Sequence, residues 1–98
     1  MMINKNIFKS ARHTSSYLSA GPVDGPLVMF FHGWPELSYS WRHQLKYFGE
    51  KGFHVIAPDM RGYGESTVHK NKADYSQREI VKDMVELFQS FNKDNVII

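Results

Sequence analysis

Leu27-Val28-Met29-Phe30-Phe31-His32-Gly33-Trp34-Pro35-Glu36 is the stretch that decides the fold. Its first five residues are apolar at every position, not at every second one. A strand of that kind is covered on both faces, as in the interior of a parallel sheet. The residues that follow place a loop at the strand's carboxyl end, which is where open α/β sheets bind ligands. Gly33 permits a turn closed to other residues. Pro35 has no amide hydrogen and can make a cis bond with Trp34. Together they leave the Trp34 N–H free to face a cleft, where it would meet the oxyanion that develops in acyl transfer or ester hydrolysis. The competing reading is a tight strand-to-helix turn in which Trp34 only packs.

Downstream, Trp41, Leu45 and Phe48 fall at i, i+4 and i+7, one face of a helix. Gly49 and Gly52 stand where that helix should end. Phe53-His54-Val55-Ile56-Ala57 reads as the next strand, stopped by Pro58. Ser76 and Glu79 have the spacing of a capping box, in which each residue satisfies an amide of the other. Ile80, Met84, Leu87, Phe88 and Phe91 then form an apolar stripe at helical spacing. Asn92-Lys93-Asp94-Asn95 breaks it, and Val96-Ile97-Ile98 begins a further strand. Upstream, Gly21-Pro22-Val23-Asp24-Gly25-Pro26 is a loop. Residues 7–20 read as two short strands, with Arg12-His13-Thr14 near the turn. The whole predicts an α/β fold: a mostly parallel sheet flanked by helices, with a short N-terminal antiparallel strand pair.

The loop after the second core strand is Asp59-Met60-Arg61-Gly62-Tyr63-Gly64-Glu65-Ser66. Asp59 occupies a strand's carboxyl end, where nucleophiles often lie. With Arg61 two residues away, the preferred reading is a structural ion pair that fixes the loop. Gly62 and Gly64 lack the third glycine of a dinucleotide fingerprint, because position 67 is Thr67. Residues 64–68 resemble a nucleophile elbow only until Val68, so Ser66 reads as a loop hydrogen-bonder. His32, directly after a buried strand, is better read as a histidine bonded to nearby backbone than as a general base. Glu36 suits the N-terminus of the next helix, where negative charge is favoured.

The chain has 98 residues, 42% hydrophobic and 22% charged, the balance of one globular domain or part of one. A net charge of +2 with scattered basic residues gives no nucleic-acid footprint. With no cysteine there are no disulfides or thiolate chemistry. His13, His32, His43, His54 and His69 have no metal-ligand spacing. Tyr17, Tyr63 and Tyr75 are not spaced as a base-stacking platform. No apolar run is long enough to span a bilayer, and a cytoplasmic protein without cofactor or metal is expected.

At its two loops the sequence closely resembles the α/β-hydrolase fold family, and within it the epoxide hydrolases. The matching stretches are residues 31–36, Ser40-Trp41-Arg42, and residues 57–66. The resemblance implies that Trp34 contributes the oxyanion-hole N–H and that Pro35 is the family's cis-proline. It implies that Asp59 and Arg61 shape the loop without transferring protons. Related dehalogenases usually place a polar, halide-contacting residue where Trp34 stands, which tilts the reading toward epoxides. In the family an aspartate on a later elbow attacks the epoxide. Tyrosines on a cap domain protonate the ring oxygen, and a histidine activates the water that cleaves the alkyl-enzyme ester.

The resemblance further implies an incomplete N-terminal part of such a core domain, residues 1–98, with the cap, the C-terminal half and the nucleophile all outside it. Turnover by the chain alone is not expected. A haloalkane dehalogenase, an esterase, or a noncatalytic module paired with a separate chain are the alternatives. Ordering ~98 residues costs on the order of 100–200 kcal/mol of conformational entropy. A half-covered sheet is therefore expected to be marginally stable and to expose apolar surface.

Overall fold

The computed structural model describes residues 3–32 and 37–98. Five-residue β4 (His54–Pro58) lies between three-residue β3 (Leu27–Met29) and the N-terminal hairpin. That hairpin is β1 (Asn4–Lys9) and β2 (Thr14–Ala20). The sheet order is β1-β2-β4-β3. β1 and β2 pair antiparallel, β2 pairs antiparallel with β4, and β3 pairs parallel with β4. A parallel bridge from Ile97 to Val28 extends the sheet on the far side of β3. The sheet is thus mixed, with its parallel part formed by the apolar segments and its antiparallel part by the hairpin.

All three residues of β3 and all five of β4 are buried. Successive side chains on a strand point to opposite faces, so both faces must be covered. Val28, Val55 and Ala57 pack with Leu45 on one face. Leu27, Met29 and Ile56 pack with Leu87 on the other. Leu45 comes from α1 (Arg42–Glu50) and Leu87 from α2 (Gln77–Gln89), so one helix covers each face.

Several boundaries differ from expectation for local reasons. The first helix starts at Arg42, because a 3-10 turn, Ser38–Trp41, precedes it and takes in Trp41. The Trp41 ring still covers the core, stacking on Phe30 at 4.8 Å. Pro58 closes β4 from inside, since the next ladder bond is donated by the Asp59 N–H to the Ser16 carbonyl at 2.9 Å. The Ser76 hydroxyl caps α2 by accepting from the Glu79 N–H at 3.3 Å. The reciprocal half of the expected capping box is replaced: the Glu79 carboxylate accepts from Arg12 at 2.6 Å.

Candidate functional site

Residues 33–36 join two ends that are both tied to the loop after β4. On the upstream side, buried His32 accepts at Nε2 from the Met60 N–H at 2.9 Å. Its ring meets the Tyr63 ring edge-on at 4.8 Å. On the downstream side, the Ser38 N–H donates to Asp59 Oδ1 at 2.8 Å. Met60 and Asp59 are neighbours, so adjacent residues at the end of β4 fasten both flanks. The bond at His32 requires a lone pair on Nε2 and so fixes the tautomer with hydrogen on Nδ1 whenever the ring is neutral.

Asp59 is 7% exposed, and its position is over-determined. Oδ2 accepts from the Ser16 hydroxyl at 2.8 Å. Its carbonyl accepts from the Ser66 hydroxyl at 2.6 Å, and Ser66 Oγ also accepts from the Ser16 N–H at 3.0 Å. A buried carboxylate without such donors would be costly. Gly64, at φ +53°, presses its backbone against this carboxylate, and an added Cβ would lie 2.4 Å from Asp59 Oδ2. No side chain but hydrogen fits there.

The expected Asp59–Arg61 ion pair is replaced. Arg61 instead makes a two-pronged pair with Asp83 of α2, through Nε to Oδ2 and through Nη2 to Oδ1 at 3.0 Å. Its Nη1 donates to the Asp74 carbonyl at 2.9 Å. The reason is electrostatic. Asp59 is already satisfied by Ser16 and Ser38, whereas the Asp83 side chain is 1% exposed and would be an uncompensated buried charge without a cation. Arg12, from the hairpin turn, adds bonds to Glu79 and to Glu86, the latter at 2.7 Å, and lies 3.3 Å from Asp83. The Arg12 hydrogen bond holds the Glu79 carboxyl below its ordinary range, assisted by Lys82 and Arg61.

An open depression of ≈ 590 Å³ lies beside His32, walled by Met60, Arg61, Tyr63, Tyr75 and Ile80. A second, almost wholly apolar groove of ≈ 400 Å³ runs between Met29 and Phe31 on one side and Met84, Phe88 and Val96 on the other. Among the residues expected at the site, the structure brings His32, Asp59 and Arg61 to one end of the sheet. The readings made for Gly33, Trp34, Pro35 and Glu36 lie outside the described residues. Asp83 was missed, although a carboxylate inside the stripe of Ile80, Met84 and Leu87 is itself a signal that a buried partner cation is required. Among the described residues, no helix is long and apolar enough to cross a membrane, and no group of three or more His, Asp or Glu side chains is placed to hold a metal ion.

Known proteins resemble this chain in sequence and in fold. Epoxide hydrolase 1 of Siraitia grosvenorii is 45% identical over 80 residues, which is 82% of this chain and 25% of that protein. Epoxide hydrolase A of Mycobacterium tuberculosis is 38% identical over 80 residues, again 82% of this chain and 25% of the relative. The chain therefore spans about a quarter of the length of these curated relatives. The crystal structure of an epoxide hydrolase from Vigna radiata superposes with a TM-score of 0.91 at 34% identity, covering 96% of this chain and 30% of that one. A family model described as the alpha/beta hydrolase fold matches residues 26–98. With both core strands, both covering helices and both loops inside that match, the chain belongs to the α/β hydrolase fold family.

Proposed function

We propose that this chain supplies the oxyanion-hole segment of an epoxide hydrolase-like enzyme, with the Trp34 backbone N–H as one donor. The observation that carries the reading is the double fastening of the flanks of residues 33–36, by Met60 at His32 and by Asp59 at Ser38. A donor aimed at developing charge is effective when it does not have to reorganise during the reaction. Two buried anchors on adjacent residues are a means of holding such a loop. His32, Asp59 and Arg61 then act as supports rather than as proton carriers: the first two hold the loop's ends, and Arg61 ties the support to α2. In this reading Gly33 permits the turn, Pro35 is the family's cis-proline, and Glu36 belongs with the N-terminus of the next helix. The nucleophile, acid and water-activating base come from outside these residues, and the substrate is a small epoxide that opens to a diol by way of an alkyl-enzyme ester.

The test exchanges residues 26–98 into the Vigna radiata epoxide hydrolase in place of its matching segment. The chimera should hydrolyse an epoxide. Trp34→Pro, which deletes the N–H, should lower the rate of ester cleavage by ~10²–10³. The covalent enzyme should then accumulate and be visible by mass spectrometry. Full activity in the Trp34→Pro chimera removes the oxyanion role.

The apolar groove favours a second reading, in which this chain pairs with a separate polypeptide that covers Met29, Phe31 and Phe88. A monomeric, cooperatively unfolding chain that binds no apolar dye tells against it.

A further inference from the structure

His13 and His69 lie 56 residues apart in sequence and meet in the fold. His13 sits in the hairpin turn, and His69 lies in the loop after β4. Their rings stack with centroids 5.1 Å apart and planes 20° apart, and His13 Nδ1 is 2.8 Å from His69 Nε2. The His13 side chain is 1% exposed, and its Nε2 has no hydrogen-bond partner but faces Asp83 Oδ2 at 3.6 Å. A lone pair on Nε2 would oppose that carboxylate, so Nε2 carries the hydrogen. His13 Nδ1 is then the acceptor, and His69 Nε2–H the donor.

This bond joins two parts of the chain that also meet at Thr14 with Thr67 and at Ser16 with Ser66. The Thr67 N–H donates to the Thr14 carbonyl at 2.9 Å, and the Thr14 N–H donates to Thr67 Oγ1 at 3.1 Å. Beyond it, the His69 N–H donates to Tyr75 Oη at 2.8 Å, and Tyr75 Oη donates to the His69 carbonyl at 2.9 Å. The charges around the pair are divided. Arg12 from the turn and Arg61 from the loop oppose a further positive charge. Asp83 from α2 favours one but is already engaged by Arg61, while Glu79 and Glu86 on the same helix are taken up by Arg12.

We infer that the His13–His69 pair is a proton-operated latch that holds residues 67–75 against the hairpin turn when His13 is neutral and lets them go when it is protonated. The closed pair shares one N–H between the two facing nitrogens and needs the lone pair on His13 Nδ1. A proton on that nitrogen would set N–H against N–H. The released His13 ring accepts one at an ordinary imidazole value, about 6.5. Opening therefore takes up a proton, and acid drives it. Burial first, then Arg61, His69 and Arg12, hold the His13 imidazole below 6.5 despite Asp83. For a histidine lowered in the folded state, the contribution to stability is complete above the unfolded value and is lost as pH falls below it. Each proton taken up changes the closed-to-open ratio by about tenfold per pH unit within that window.

Hydrogen exchange on the full chain reads the latch at the Thr67 amide, with the Phe30 amide inside the sheet as control. Between about pH 7.5 and about pH 5, protection of Thr67, corrected for intrinsic exchange, should fall by about tenfold or more and stay well below that of Phe30, which is lost only with the sheet. His13→Asn combined with His69→Gln keeps an amide–amide bond in the same place without a titrating group, and its Thr67 protection should not follow pH. Unchanged protection in the wild-type chain overturns the latch, as does an equal loss in the double variant. Should that variant fail to fold, imidazole NMR of the wild-type chain decides. His13 should show the Nε2–H tautomer and a midpoint below 6.5 that coincides with loss of Thr67 protection. Titration of His13 with no change at Thr67 refutes the inference.

Discussion

Gly64→Ala forces a methyl group into the Asp59 carboxylate. The added Cβ would lie 2.4 Å from Oδ2, 2.5 Å from Cγ and 2.9 Å from Oδ1, so the carboxylate must move. Movement sacrifices at least one of two buried bonds, from the Ser16 hydroxyl and from the Ser38 N–H. A hydrogen bond to a charged group contributes about 1.5–3 kcal/mol. The left-handed backbone adds about 1 kcal/mol for a residue with a Cβ, giving a total of about 2.5–4 kcal/mol. Gly52 provides the control: its φ is +94° and nothing lies within 4 Å of an added Cβ, so Gly52→Ala carries only the backbone cost, again about 1 kcal/mol. Urea unfolding followed by circular dichroism measures both, with sucrose added so that the weaker variants keep a folded baseline. In an Asp59→Ala background the clash is gone, and Gly64→Ala should cost only about 1 kcal/mol. If Gly64→Ala costs no more than Gly52→Ala, or costs the same with and without Asp59, the account of the Asp59 cradle is wrong.

Three further outcomes are expected. Arg61→Ala strands buried Asp83 and should cost about 3–5 kcal/mol in urea unfolding, whereas Arg61→Met with Asp83→Leu should recover most of the loss. Ser76→Ala removes the hydroxyl cap of α2 and should cost about 0.5–2 kcal/mol, with a matching loss of helical circular dichroism near the midpoint. The Glu79 carboxyl is held below 4.5 by Arg12, so its contribution to stability is present above that value and lost as pH falls through the lowered one. Arg12→Gln should flatten the acid limb of a stability-against-pH curve in that region, and an unaltered limb would show that the pair contributes nothing.

The parts of the fold legible in the sequence were those set by periodicity. The uninterrupted apolar runs around Val28 and Val55 announced strands buried on both faces, and both have a helix on each side. The stripe from Ile80 to Leu87 marked the covering face of α2, and Ser76 marked its start. What could not be read were pairings set by tertiary approach. Arg61 stands two residues from Asp59 but binds Asp83, 22 residues away, because burial decides which carboxylate most needs a cation. The meeting of His13 with His69 depends on where the hairpin turn lands, which no local spacing encodes. The same holds for Ser16 and Ser38: Ser16 becomes a donor to Asp59 only after β2 has been laid beside β4, and Ser38 only once the 3-10 turn lies against the end of β4.

The bridge at Ile97 gives β3 a neighbour on its second side, and two consecutive amides report on the two seams separately. The Met29 N–H donates to the Ile97 carbonyl and the Phe30 N–H to the Ile56 carbonyl, both at 2.9 Å. Any event that peels the final residues from the sheet must therefore expose Met29 to solvent exchange before Phe30. A pair of adjacent probes thus distinguishes fraying at this margin from dissolution of the whole sheet, without a mutation.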